Sequence, residues 1–75
     1  MKLPNKVITY NESIISKFPI VLTILRKVDC RAIELYSQVK NQIEDIDDFI
    51  DVLDCLFALR TITLNEKTRR LHYAM

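Results

Sequence analysis

The longest helical signal in the chain runs from Asp45 to Ile62, DIDDFIDVLDCLFALRTI. At about 100° per residue, Ile46, Phe49, Ile50, Val52, Leu53, Leu56, Phe57 and Leu59 cover about half of the helix circumference. Asp47, Asp51, Asp54 and Ala58 fall along a narrow line on the other side. The apolar arc is wider than the ~100° stripe of an ordinary surface helix. Such a helix is expected to bury surface on more than one side, the second side lying either against the wing of the same domain or against another protein. Asp45 is the predicted N-cap, and Asp47 and Asp48 follow in the first turn, where the helix dipole favours negative charge. Asp51 and Asp54 lie too deep for that explanation. They read either as a solvated face or as a docking surface for a basic partner.

Two shorter helical patterns precede this one. Asn11 is placed to cap a first helix over residues 12–27, with Ile14, Ile15, Phe18, Val21, Leu22, Leu25 and Val28 on one face. Pro19 disfavours helical geometry at Phe18, so a bend or restart is expected near Ser16. Asp29 is placed to cap a second helix, about Cys30 to Gln42, with Ala32, Leu35, Tyr36, Val39 and Ile43 as its apolar stripe. Before the helices, Lys6-Val7-Ile8-Thr9-Tyr10 is β-branched and aromatic and predicts a short strand. After Leu59 the period changes to two. Ile62 and Leu64 alternate with threonines, Asn65 to Thr68 reads as a turn, and Arg70 to Tyr73 as the return strand of a hairpin. Asn65 is the residue expected at a left-handed turn position.

Strand, helix, helix, helix, hairpin is the order of a winged-helix domain. The expected fold class is mainly α with a small β-hairpin: a winged-helix-like three-helix domain with an N-terminal strand, residues 1–75 forming one domain. A chain of this size buries only about 60% of its unfolded surface. The hydrophobic content of 49% is high for that ratio and fits a chain that completes its burial against a partner.

Charge sharpens this picture. The net charge is only +1, yet residues 42–59 carry six acidic side chains and no basic one, while both flanking segments are net basic. Segmented charge suits oriented contacts with charged partners, not a general nucleic-acid binder. A winged helix that reads DNA does so with its third helix, and here that helix would set Asp47, Asp48, Asp51 and Asp54 against phosphate. Backbone contact from the wing through Lys67, Arg69 and Arg70 is the route left for the alternative function, a winged-helix DNA-binding transcriptional regulator.

Catalytic and cofactor chemistry find little support. Glycine is absent, which removes Gly-rich phosphate loops and the dinucleotide fingerprint. His72 is the single histidine and Cys30 and Cys55 stand in no ligand spacing, so neither a zinc site nor a catalytic pair is expected. No apolar run approaches the ~20 residues of a membrane span, and the start MKLPNKVITY lacks a signal-peptide core. The expectation is a cytoplasmic, non-enzymatic protein without cofactor or metal.

Particular stretches also carry a family resemblance. They are the start Leu3-Pro4-Asn5-Lys6, the Glu12-Ser13 pair, and Leu53-Asp54-Cys55-Leu56-Phe57-Ala58-Leu59 followed by Ile62, Leu64 and Leu71. Over nearly its whole length the sequence resembles the middle component of prokaryotic ABC-three-component systems, subgroup six. Arg60 departs from the small or polar residue that often ends the long helix in that family. The resemblance implies a small adaptor subunit linking an SMC/Rad50-like ABC ATPase to an effector, often a nuclease, in anti-phage or anti-plasmid defence of the Lamassu type. It implies a hetero-oligomer that meets DNA only through the complex. The residues expected at the partner interface are Asp47, Ile50, Asp51, Asp54 and Phe57, with Lys6, Val7 and Ile8 as an added strand.

Overall fold

The computed structural model describes residues 12–74. Three helices and a hairpin follow one another: α1 (Phe18–Leu25), α2 (Ala32–Val39), α3 (Ile46–Ala58), β1 (Ile62–Asn65) and β2 (Arg70–Tyr73). The mainly helical domain with a terminal two-stranded wing is thus the architecture observed. The strand predicted at 6–10, with Lys6, Val7 and Ile8, lies outside the described residues.

The break around Pro19 has a clear cause. Residues 12–16 are helical, Lys17 is a turn, and α1 restarts at Phe18. Pro19 then stands in the first turn of α1, where its missing N–H is not needed. Lys17 bridges the break, its Nζ donating to Ser13 Oγ at 2.8 Å. Val21 and Leu25 go into the core, whereas Ile15 and Val28, predicted on the same face, are exposed. The restart rotates the two segments relative to one another, so one continuous stripe is not available.

The second helix is shorter than Cys30 to Gln42, and Asp29 does not cap it. Its N-cap is Arg31, whose N–H donates to Glu34 Oε1 at 3.0 Å. A guanidinium has no acceptor to return the bond, so this is half a capping box. Cys30 is extended instead. Its N–H donates to the Leu71 carbonyl at 3.3 Å, and its carbonyl accepts from the Leu71 N–H at 2.6 Å. Cys30 is therefore a one-residue third strand on the outer edge of β2. Asp29 is drawn away in the same direction, its carboxylate 2.8 Å from His72 Nδ1. Where three helices alone would leave the hairpin as an appendage, this link ties the α1–α2 connection to the wing.

α3 begins as its sequence dictates, with the Asp45 side chain accepting from the Asp47 N–H at 2.9 Å. It ends in a Schellman motif. Thr61 N–H donates to the Leu56 carbonyl and Arg60 N–H to the Phe57 carbonyl, both at 3.0 Å. Arg60 occupies the left-handed position of that motif at φ 60. Arginine bears there a steric cost that glycine avoids. Net of the freedom glycine gains in the unfolded chain, Arg60→Gly is expected to raise stability by about 0.5–1 kcal/mol, read as a higher urea midpoint at unchanged slope. A lower midpoint would mean that the Arg60 side chain makes a compensating contact.

The hairpin pairs Ile62 with Tyr73 and Leu64 with Leu71 on one face, and Thr63 with His72 and Asn65 with Arg70 on the other. Ile62 and Leu71 enter the core. At the tip, Asn65 Oδ1 accepts from the N–H groups of Lys67 and Thr68. The left-handed residue is Arg69, at φ 61, and not Asn65. Asn65 spends its side chain on the turn's backbone and leaves the positive φ to the end of the loop. The core lies between the helices and the hairpin, built from Val21 and Leu25 of α1, Leu35 and Val39 of α2, Phe49, Val52, Leu53 and Leu56 of α3, with Ile43, Ile62 and Leu71. The Arg26 guanidinium, 5.6 Å from the centre of the Tyr73 ring, adds a cation–π contact between the end of α1 and β2.

Candidate partner interface

The eight apolar positions predicted for the long helix, seven in α3 and Leu59 at its C-cap, divide into two sets. Phe49, Val52, Leu53 and Leu56 are buried, whereas Ile46, Ile50, Phe57 and Leu59 remain 46%, 47%, 38% and 64% exposed. The domain thus accounts for one side of the wide arc. Ile46, Ile50 and Phe57 form the second side, a ridge along the outside of α3.

Beside this ridge runs a groove of about 300 Å³ between α2 and α3. Ala32, Ile33 and Tyr36 form one wall, Ile46, Phe49, Ile50 and Leu53 the other. Ile33 is 72% exposed and stands at the lip. Tyr36 packs its ring on Phe49, centroids 5.0 Å apart and planes at 54°. Its hydroxyl donates to the Glu44 carbonyl at 3.0 Å. That bond satisfies the polar end of Tyr36, and the Tyr36–Phe49 pair stiffens the floor. A second hollow, about 360 Å³ between α1 and α2, is lined by Pro19, Ile20, Thr23, Ile24 and Val39 together with Gln38 and Gln42. Its mixed lining and uncharged rim distinguish it from the α2–α3 groove.

The predicted interface residues of α3 fall around this groove. Ile50 lines it, and Phe57 continues the same ridge towards the helix end. Asp47 and Asp54, three residues before and four after Ile50, flank it on the helix surface and are exposed. Neither makes an ion pair among the described residues, whereas Asp29 pairs with His72. Asp51 differs: it is half-buried and already engaged. Ile33 was not identifiable from periodicity, since it stands among Glu34 and Ser37 on what reads as the polar side of α2. A lone isoleucine there was the available signal.

The wing cations sit elsewhere. Lys67, Arg69 and Arg70 are exposed at the hairpin tip and its return strand, so acidic helix and basic wing are separate surfaces. Cys30 is buried and Cys55 exposed, with no disulfide between them. Among the described residues no helix is long and apolar enough to cross a membrane. No group of three or more His, Cys, Asp or Glu side chains converges there either.

Comparison with curated proteins gave no match, and neither did comparison with solved structures. Comparison with protein-family models matched residues 3–71 to the model described as ABC-three component (ABC-3C) system Middle Component 7, so the subgroup number is seven where the resemblance implied six. That span takes in the Leu3-Pro4 start, all three helices and the hairpin as far as Leu71, and the chain belongs to the middle-component family of ABC-three-component systems.

Proposed function

We propose that the chain is the non-catalytic adaptor of its system, joining an SMC/Rad50-like ABC ATPase to an effector protein, in an anti-phage or anti-plasmid complex of the Lamassu type. The observation that carries this reading is the exposed half of α3. A marginal domain that leaves Ile46, Ile50 and Phe57 in water beside an apolar groove loses hydrophobic stabilisation, and a partner surface restores it. Family membership supports a role among several components. The single histidine, His72, is held by Asp29 at the surface, and Cys30, the cysteine that follows Asp29, is buried.

The adaptor acts by geometry. It presents one acidic, apolar-ridged surface on α3 and one basic surface at Lys67, Arg69 and Arg70. Two surfaces of opposite sign let one small subunit hold two partners in fixed orientation, because each rejects the other's ligand by like-charge repulsion.

A tagged chain expressed from its native gene cluster, treated with nuclease and washed in high salt, is expected to retain a large ATPase and a second protein in near-stoichiometric amounts. Recovery of the chain alone would sink the adaptor reading. Salt-sensitive DNA binding by that isolated chain, lost on replacing Arg69 and Arg70 with Ala, would then favour a DNA-binding regulator.

A further inference from the structure

We infer that the α2–α3 groove takes an amphipathic helix of a partner subunit, its apolar ridge in the groove and Lys or Arg along the flank that meets Asp47 and Asp54. This rests on the adaptor reading and names the chemistry of one of its contacts.

The groove selects a helix on three grounds. It runs beside α3, whose 13 residues extend about 20 Å, enough for three to four turns of a parallel or antiparallel neighbour. Its walls are apolar, and the Tyr36 hydroxyl on its floor is already bonded to Glu44. An extended strand would bring backbone N–H and C=O groups that find no partner there, whereas a helix satisfies its own. Exposed Ile46, Ile50 and Phe57 stand at i, i+4 and i+11 of α3, one stripe that a neighbouring helix with apolar residues at i, i+3 or i+4, and i+7 can follow.

Charge identifies the partner's flank and argues against a second copy. Asp47 and Asp54 stand exposed beside Ile50, without an ion pair among the described residues. Opposite charge on the incoming helix fixes its register and direction. The helices among the described residues contain no Lys or Arg: residues 12–16 carry Glu12, α1 no charged residue, α2 Glu34, and α3 four aspartates. A two-fold contact through this face would moreover oppose the aspartates of the two copies.

The test uses the complex assembled from the native gene cluster, with a benzophenone photo-cross-linking residue substituted at Ile50 and, as control, at Leu64 on the wing, which is exposed to a similar degree. Cross-linked peptides are sequenced by mass spectrometry. The expected result is a cross-link from position 50, and not from 64, into one partner segment with helical apolar spacing and a Lys/Arg flank. Ile33→Gln and Ile50→Gln, on opposite walls, should each weaken that partner about tenfold. Asp47→Lys with Asp54→Lys should do the same, and changing the mapped Lys or Arg residues to Glu should restore binding. A cross-link to a second copy of this chain, or to an acidic or non-helical segment, overturns the proposal, as does an intact complex with no cross-link from position 50. In each of those outcomes the adaptor reading stands. Failure of any complex to form overturns both.

Discussion

Leu56→Ala is expected to lower the unfolding free energy by about 3 kcal/mol, the cost of deleting a fully buried leucine side chain into a site that relaxes only in part. Leu56 is 1% exposed at the centre of the buried side of α3. Its carbonyl also closes the Schellman motif by accepting from Thr61, so the turn into β1 is built on the same residue. A domain of this length has about 4–11 kcal/mol of stability in all, and a loss of this size is a large part of it. In a circular-dichroism melt the midpoint should fall by about 15 °C. A fall of only a degree or two would mean that Leu56 is not packed as described and that the core is centred elsewhere.

Phe57, the next residue, should behave in the opposite way. Phe57→Gln is expected to leave the melt within a few degrees of the parent, since the ring is 38% exposed and glutamine is a good helix former. In the assembled complex the same substitution should weaken partner binding about a hundredfold, the effect of removing an aromatic anchor from the exposed ridge. Measuring both variants by melt and by co-purification separates fold from interface. If Phe57→Gln destabilised the domain as much as Leu56→Ala, the ring would be core. If it changed neither stability nor assembly, the exposed ridge would not be the contact.

The sequence made the framework visible wherever a residue type has a local mechanism. Asp45 at the start of α3, Pro19 at the restart of α1 and the change of period after Leu59 each announce a boundary through a bond the residue makes or cannot make. Cys30 has no such signature. A strand one residue long shows no alternation, and Cys30 continues the polar approach to a helix, so it read as helix. What places it is the far-off backbone of Leu71. The two left-handed residues were hidden for a related reason. With no glycine in the chain, Arg60 and Arg69 hold positions that arginine does not mark, and Asn65 drew the prediction by its type.

The exposed face of α3 was half legible. Periodicity showed that α3 is apolar on too much of its circumference, and that much is correct. It could not divide the arc into Leu56 inside and Phe57 outside, because both sets are equally apolar and only the position of α2 and the hairpin decides. The other wall was missed because Ile33 stands alone among polar neighbours. Of the four aspartates, Asp47 and Asp54 can be told from Asp51 only once side-chain environments are known.

The bridge between Cys30 and Leu71 has a consequence for synthesis. A ribosome releases α1 and α2 first, but the backbone groups of Cys30 have their partner near the other end of the described chain. Closing so long a loop costs entropy that is recovered only when Ile62 and Leu71 reach the core. Until then Val21, Leu25 and Leu35 have an incomplete lid. The domain therefore completes its fold only after β2 has emerged, and the exposed face of α3 matures in the same step.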